Sequence, residues 1–134
     1  MTILSGIPVL NCHNVKISLA FYQQHLQFVV VKKREVKSRL DWVHIMHGAT
    51  TLMLQADAKK TRSDQTSFNS SSDIPGSSSS SISLYFFVDN IDELHHFLRA
   101  KSVTVSEIEI SHYKMKEFHL NDPDGNSLVI GQPC

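Results

Sequence analysis

Hydrophobic and polar positions along this chain follow two periods, and the order in which they switch occurs twice. An apolar run from Ile7 to Cys12 gives way at Asn14-Val15 to a helical spacing that places Val15, Leu19, Tyr22 and Leu26 on one face, with Phe21 beside it. Strand-like runs follow at Phe28 to Arg34, Trp42 to Met46 and Thr50 to Gln55. The sequence then repeats itself: Ile82 to Val88 leads through Asn90-Ile91 to a helix bearing Ile91, Leu94, Phe97 and Leu98. Runs at Val103 to Ile110, Lys116 to Leu120 and Ser127 to Ile130 come after it. Asn90 with Glu93 three residues on has the form of a capping box, in which side chains satisfy otherwise orphaned amides. Each half therefore reads β, α, β, β, β. His47-Gly48 and Asp122-Pro123-Asp124-Gly125 supply the turns between the last two strands of each half, the second with Pro and Gly where a turn needs fixed and positive φ.

Between the halves, Asp57 to Ser81 holds ten serines and a Pro75-Gly76 pair, with Phe68 and Ile74 its only large apolar residues. It reads as a linker or mobile loop. The organisation is then a first module over 1–56, a serine-rich linker over 57–81 and a second module over 82–134.

Composition narrows the function. Thirteen basic and thirteen acidic residues cancel, and no basic stripe interleaved with aromatics goes beyond the short run Lys32-Lys33-Arg34, read as a solvated strand end. A nucleic-acid partner is not expected, because neutralising phosphates needs a concentrated positive face. No stretch approaches the roughly 20 apolar residues that span a bilayer, and no basic-plus-apolar secretory signal opens the chain, so no membrane partner is expected and the cytoplasm is the default address. Cys12 and Cys134 read as free thiols there.

Three stretches, in order, carry a resemblance: Asn14-Val15 through Phe21-Tyr22 to Leu26-Gln27-Phe28, then Val88-Asp89-Asn90 to Leu98, then Glu117-Phe118 through Asp122-Pro123-Asp124-Gly125-Asn126. Together they resemble the glyoxalase/bleomycin-resistance/extradiol dioxygenase (vicinal oxygen chelate) superfamily. That resemblance implies an α+β fold of paired βαβββ modules, with a curved mixed sheet around a cleft and helices on the outer face. It departs from the family at Gln27 and at Lys101-Ser102, where a helix-ending glycine is common.

Metal-dependent relatives hold a divalent cation with His, Gln or Glu from four strands. The resemblance carries those positions onto Ile7, Met53, Ser83 and Val129, the second known to within one residue. Aliphatic and thioether side chains do not replace the imidazole, carboxylate or thiolate donors such a site requires, so no metal and no other cofactor is expected. The eight histidines do not restore one. His44 and His47 are three apart on a strand and its turn and diverge, as do His95 and His96 on a helix, while His13, His25 and His112 fall on loops or helix surfaces. Only His44 and His119, with Glu117, are candidates to meet in the cleft.

Strand alternation assigns the faces. Val43, Ile45, Leu52, Leu54, Leu84, Phe86, Val88, Phe118, Leu120, Leu128 and Ile130 go to the helices. Ligand contacts are expected from Trp42, His44, Met53, Tyr85, Phe87, Glu117 and His119, with Ile7, Val9, Asn11, Met46, Thr51, Gln55, Ser83, Ser127 and Val129 on the same faces. Flat aromatics with a few polar tips suit a small drug-like or natural-product molecule. The reading is a metal-free binding protein of the bleomycin-resistance type, more a sequestering protein than an enzyme. As in its relatives it would be a homodimer, with modules free to swap across a long linker. Two alternatives stay open. One is a metal-independent or atypical-site lyase or isomerase with His119 or His44 as base and Glu117 as acid partner; the other is an interaction module.

Overall fold

The computed structural model describes residues 1–57 and 82–134, so the expected linker lies, apart from Asp57, outside the described residues. The chain divides at residues 75 and 76 into two compact units.

The first unit runs β1 (Val9–Cys12), α1 (Val15–Leu26), β2 (Val29–Val36), β3 (Arg39–His47) and β4 (Thr50–Ala56), its strands ordered β1-β4-β3-β2 in one mixed sheet. β1 pairs parallel to β4 with Val9 opposite Met53, and the other pairings are antiparallel. Helix α1 starts where the Asn14 side chain accepts the Ile17 amide at 3.1 Å, one of the donors a helix N-terminus leaves unpaired. It ends at Gln27, which takes the left-handed conformation (φ 60°) so that the Phe28 amide can return to the Tyr22 carbonyl at 3.0 Å. The buried stripe is Val15, Ser18, Tyr22 and Leu26, packed on β3 and β4, where Val43, Ile45, Leu52 and Leu54 are buried. Leu19, expected in that stripe, is only half-buried. Ser18, one residue earlier and small, is buried in its stead.

The second unit repeats the plan with β5 (Ser83–Phe87), α2 (Ile91–Ala100), β6 (Glu109–Ile110), β7 (Met115–Asn121) and β8 (Ser127–Pro133), ordered β5-β8-β7-β6 with β5 parallel to β8. Phe118, Leu120, Leu128 and Ile130 form its core beneath Ile91 and Leu98. Asn90 caps α2 by accepting the Glu93 amide at 3.1 Å, and Gln132 from β8 accepts the Ile91 amide at 2.7 Å. The run Val103 to Ile110 is a strand only at its last two residues. Before them it touches β7 at one point: the Ser106 amide donates to the His119 carbonyl, while the Ser106 hydroxyl takes the His119 amide at 2.8 Å. A side-chain oxygen there stands in for the backbone carbonyl that a continuous ladder would use, and pairing stops.

The Asp-Pro-Asp-Gly-Asn turn is structural. Asp122 Oδ1 accepts the Asp124 and Asn126 amides, each at 2.9 Å, and Oδ2 accepts Asn126 Nδ2 at 2.8 Å. Asn126 Oδ1 in turn accepts the Ile82 amide at 3.1 Å, tying the β7–β8 turn to the start of β5. Cys12 is buried, its thiol 3.6 Å from the Leu10 carbonyl, and Cys134 is exposed. Among the described residues no helix is long and apolar enough to cross a membrane.

Candidate functional site

Each sheet has one face under its helix and one face without a helix, and the residues expected to meet a ligand fall on the second kind. On the first sheet His44 stands directly opposite Met53, which stands opposite Val9, so the three form one row; Lys32 extends it on β2. In the next row Trp42 lies between Arg34 and Gln55, and Gln55 donates to Asn11 Oδ1 at 2.9 Å. The Trp42 and His44 rings are 6.5 Å apart. Arg34 binds Asp41 through two parallel hydrogen bonds of 3.0 Å, which hold the Asp41 carboxyl below its ordinary range. His44 Nε2 is shielded from solvent and has no hydrogen-bond partner among the described residues. His47, by contrast, is structural, with Nδ1 3.0 Å from the carbonyl of Leu26 at the end of α1.

On the second sheet the register sets Phe87, Gly131, Glu117 and Glu109 in one row across β5, β8, β7 and β6, and Tyr85, Val129 and His119 in the next. Tyr85 leaves its own row. Its ring lies diagonally across Gly131, and its hydroxyl donates to Glu117 Oε2 at 2.6 Å. Only the missing side chain of Gly131 permits this, since a Cβ there would stand 2.7 Å from Tyr85 Cε1. From the other side Tyr113, in the tight β6–β7 turn, donates to the same Oε2 at 2.6 Å.

Two phenol donors favour the ionised carboxylate. The bonds from Tyr113 and Tyr85 hold the Glu117 pKa below its ordinary value, with smaller help from His119 and His112, against the cost of partial burial. The same contacts push both phenols up, Tyr85 first by desolvation and then by Glu117, Tyr113 chiefly by its bond to Glu117. The Tyr85 ring packs against Phe87 at 4.9 Å, and Phe87 remains 73% exposed. His119 is exposed on the same face, its backbone held by Ser106.

Of the seven expected contact residues, Trp42, His44 and Met53 are thus neighbours on the first sheet and Tyr85, Phe87, Glu117 and His119 on the second. Tyr113 and Gly131 are functional candidates that alternation along strands misses. Tyr113 belongs to a turn, where alternation does not apply, and a glycine carries no hydrophobic signal. The spacing of four between Tyr113 and Glu117, flanking a tight hairpin turn, is the one trace of their contact.

A divalent cation does not fit the positions at which the superfamily holds one. Met53, Ser83 and Val129 stand opposite Val9 and His44, Ser127, and Tyr85 and His119, respectively, so within each sheet the described strand neighbours do not surround them with a donor set. Among the described residues no three His, Cys, Asp or Glu side chains come together as metal ligands.

Two units of β, α and three further strands, each a mixed four-stranded sheet covered on one face by its helix, define a paired βαβββ protein. The chain belongs to the Glyoxalase/Bleomycin resistance protein/Dioxygenase superfamily, whose sequence profile matches residues 6–130. Among solved structures it is similar to TnmS3, an antibiotic binding protein from Streptomyces sp. CB03234, with TM-score 0.69 and 16% identity over 100% of both chains. It is also similar to a bleomycin-binding protein complexed with bleomycin, with TM-score 0.67 and 19% identity over 98% of this chain and 100% of that one. A third is the lactoylglutathione lyase of Agrobacterium tumefaciens, with TM-score 0.68 and 18% identity over 98% and 95%. At these identities the likeness is one of fold, shared by binders and an enzyme alike. No curated protein sequence matches the chain.

Proposed function

We propose that this chain is a metal-free small-molecule binding protein of the bleomycin-resistance type, sequestering a drug-like or natural-product ligand through Trp42, His44, Met53, Tyr85, Phe87, Glu117 and His119. It acts as a cytoplasmic homodimer. The observation that carries the reading is Glu117: a carboxylate clamped by two phenols in a row with the exposed Phe87. Such a group is built to stay charged and in place, which suits recognition. It is a poor proton carrier, since an acid–base catalyst works best with a pKa near the working pH and this one is held below the ordinary carboxylate value. The lyase or isomerase alternative needed Glu117 as acid partner and loses that support.

Calorimetric titration with glycopeptide and quinone antibiotics tests this. Saturable heat with dissociation constants below about 1 mM supports sequestration; no heat across the panel ends it. Elemental analysis of the purified protein checks the metal: stoichiometric zinc, nickel or iron contradicts the assignment.

A further inference from the structure

We infer that Glu117 is the seat of an organic cation, an amidinium, guanidinium or ammonium group carried on a flat ring that stacks on Tyr85 beside Phe87. This deepens the proposed sequestering role and rests on it.

Three features of the second sheet converge. First, both phenols donate to the same oxygen, Oε2. Glu117 has no Lys or Arg in ion-pair range among the described residues, and Oε1 has no hydrogen-bond partner there. A full negative charge therefore sits in a row shared with Phe87, Gly131 and a second acidic residue, Glu109, with one oxygen's lone pairs uncommitted, and that is the position a charge-assisted donor fills best.

Second, the neighbouring lysine is engaged elsewhere. Lys116, next in sequence, points to the opposite face, where Nζ meets Asp92 of α2 at 2.9 Å. Nothing in that contact brings it round to neutralise Glu117.

Third, the approach is aromatic, with the Tyr85 and Phe87 rings tilted 49° to each other, so that a flat ring stacks on one and meets the other at an angle. Gly131 puts a gap between Phe87 and Glu117 in the row, and the Tyr85 ring lies over it, packed against Phe87 at 4.9 Å. A planar ligand sliding along this platform reaches Oε1 with a substituent at its edge. A phenol whose hydroxyl is bound to a carboxylate also presents a more electron-rich ring, and a cation above such a face gains further attraction. A neutral ring of the same shape has the platform and lacks the anchor.

The test uses the whole chain and a matched pair of probes, 2-naphthamidine and 2-naphthamide, which differ in charge and hardly in shape. Dissociation constants and shift changes are read by amide NMR titration. The amidine is expected to bind roughly tenfold tighter or more. Its shifts should centre on Tyr85, Phe87, Tyr113 and Glu117, and Glu117→Gln should bring the two probes to equal affinity. Equal binding of the two probes by the natural chain overturns the inference, and that arm needs no variant to fold. So does a preference that survives Glu117→Gln, or shifts confined to other residues. If a planar antibiotic binds the natural chain while the amidine and the amide bind it equally, the sequestering role stands and the cation seat falls.

Discussion

Gly131→Ala is the sharpest perturbation of the second sheet, because one methyl group decides where Tyr85 goes. A Cβ at this position would lie 2.5 Å from Tyr85 Cζ and 2.7 Å from Cε1, well inside van der Waals contact. The obstructing atoms are the far end of a side chain that is 36% exposed, so the ring swings out and the backbone stays. What is lost is the 2.6 Å bond to Glu117. A hydrogen bond to a charged group is worth about 1.5 to 3 kcal/mol, and solvent screening at this half-open site cuts that to roughly 1 kcal/mol. Displacing the ring from its favoured rotamer adds about 0.5 to 1 kcal/mol. Against this, alanine in a strand is better than glycine by roughly 0.5 to 1 kcal/mol. The net is a loss of about 0.5 to 1.5 kcal/mol, or a Tm lower by about 2 to 6 °C at this chain length. Thermal melts of the natural chain, Gly131→Ala, Tyr85→Phe and the double variant measure it. Once the hydroxyl is gone, the alanine should cost less, so the two changes should not add. A Gly131→Ala protein as stable as the natural one, or strictly additive losses, would refute the reasoning.

Other sites give independent checks. Gln27→Gly should raise stability by about 0.5 to 1 kcal/mol, read from urea unfolding, because Gln27 sits at φ 60° where an L side chain is strained. Lys37 and Ser38 join β2 to β3 with φ of 54° and 64°, the mark of a type I′ turn, so the double substitution Lys37→Asn with Ser38→Gly should gain about 1 kcal/mol in the same assay. Asp122→Ala removes the acceptor of three hydrogen bonds and strands the Asn126 amide in a buried site, and should lower stability by about 2 to 4 kcal/mol in urea unfolding. For pH, the folded Glu117 pKa lies below the unfolded one, so its contribution is complete above the unfolded value and is lost as pH falls through the folded one. The Tm difference between the natural chain and Glu117→Gln should be flat above about pH 5 and shrink below about pH 4.

The fold was legible because its periods were strong. Val43, Ile45, Leu52 and Leu54 alternate without a break and are all buried, and the same holds for Phe118, Leu120, Leu128 and Ile130. At the two places where the chain lacks the family's helix-ending glycine, Gln27 and Ser102 take positive φ themselves, 60° and 64°. Illegible positions were those at which local sequence and local geometry disagree. Lys37-Ser38 carries no Asn or Gly to announce its turn, and Val103 to Ile110 alternates like a strand while Ser106 breaks its ladder. In the site, alternation placed Tyr85, Phe87, Glu117 and His119 on one face. It gave no means of seeing that Tyr85 leans over a glycine two residues along β8 from its partner, or that a turn tyrosine reaches the same carboxylate. Those contacts run diagonally across strands, and a one-dimensional period cannot carry them.

The central claim, binding without a metal, is tested most directly through Trp42, the single tryptophan of the chain. Its fluorescence is followed while a quinone antibiotic is titrated, once in excess EDTA and once with stoichiometric zinc. The account predicts the same saturable quenching in both, with a dissociation constant below about 1 mM. Quenching that appears only with zinc, or none in either, would contradict it.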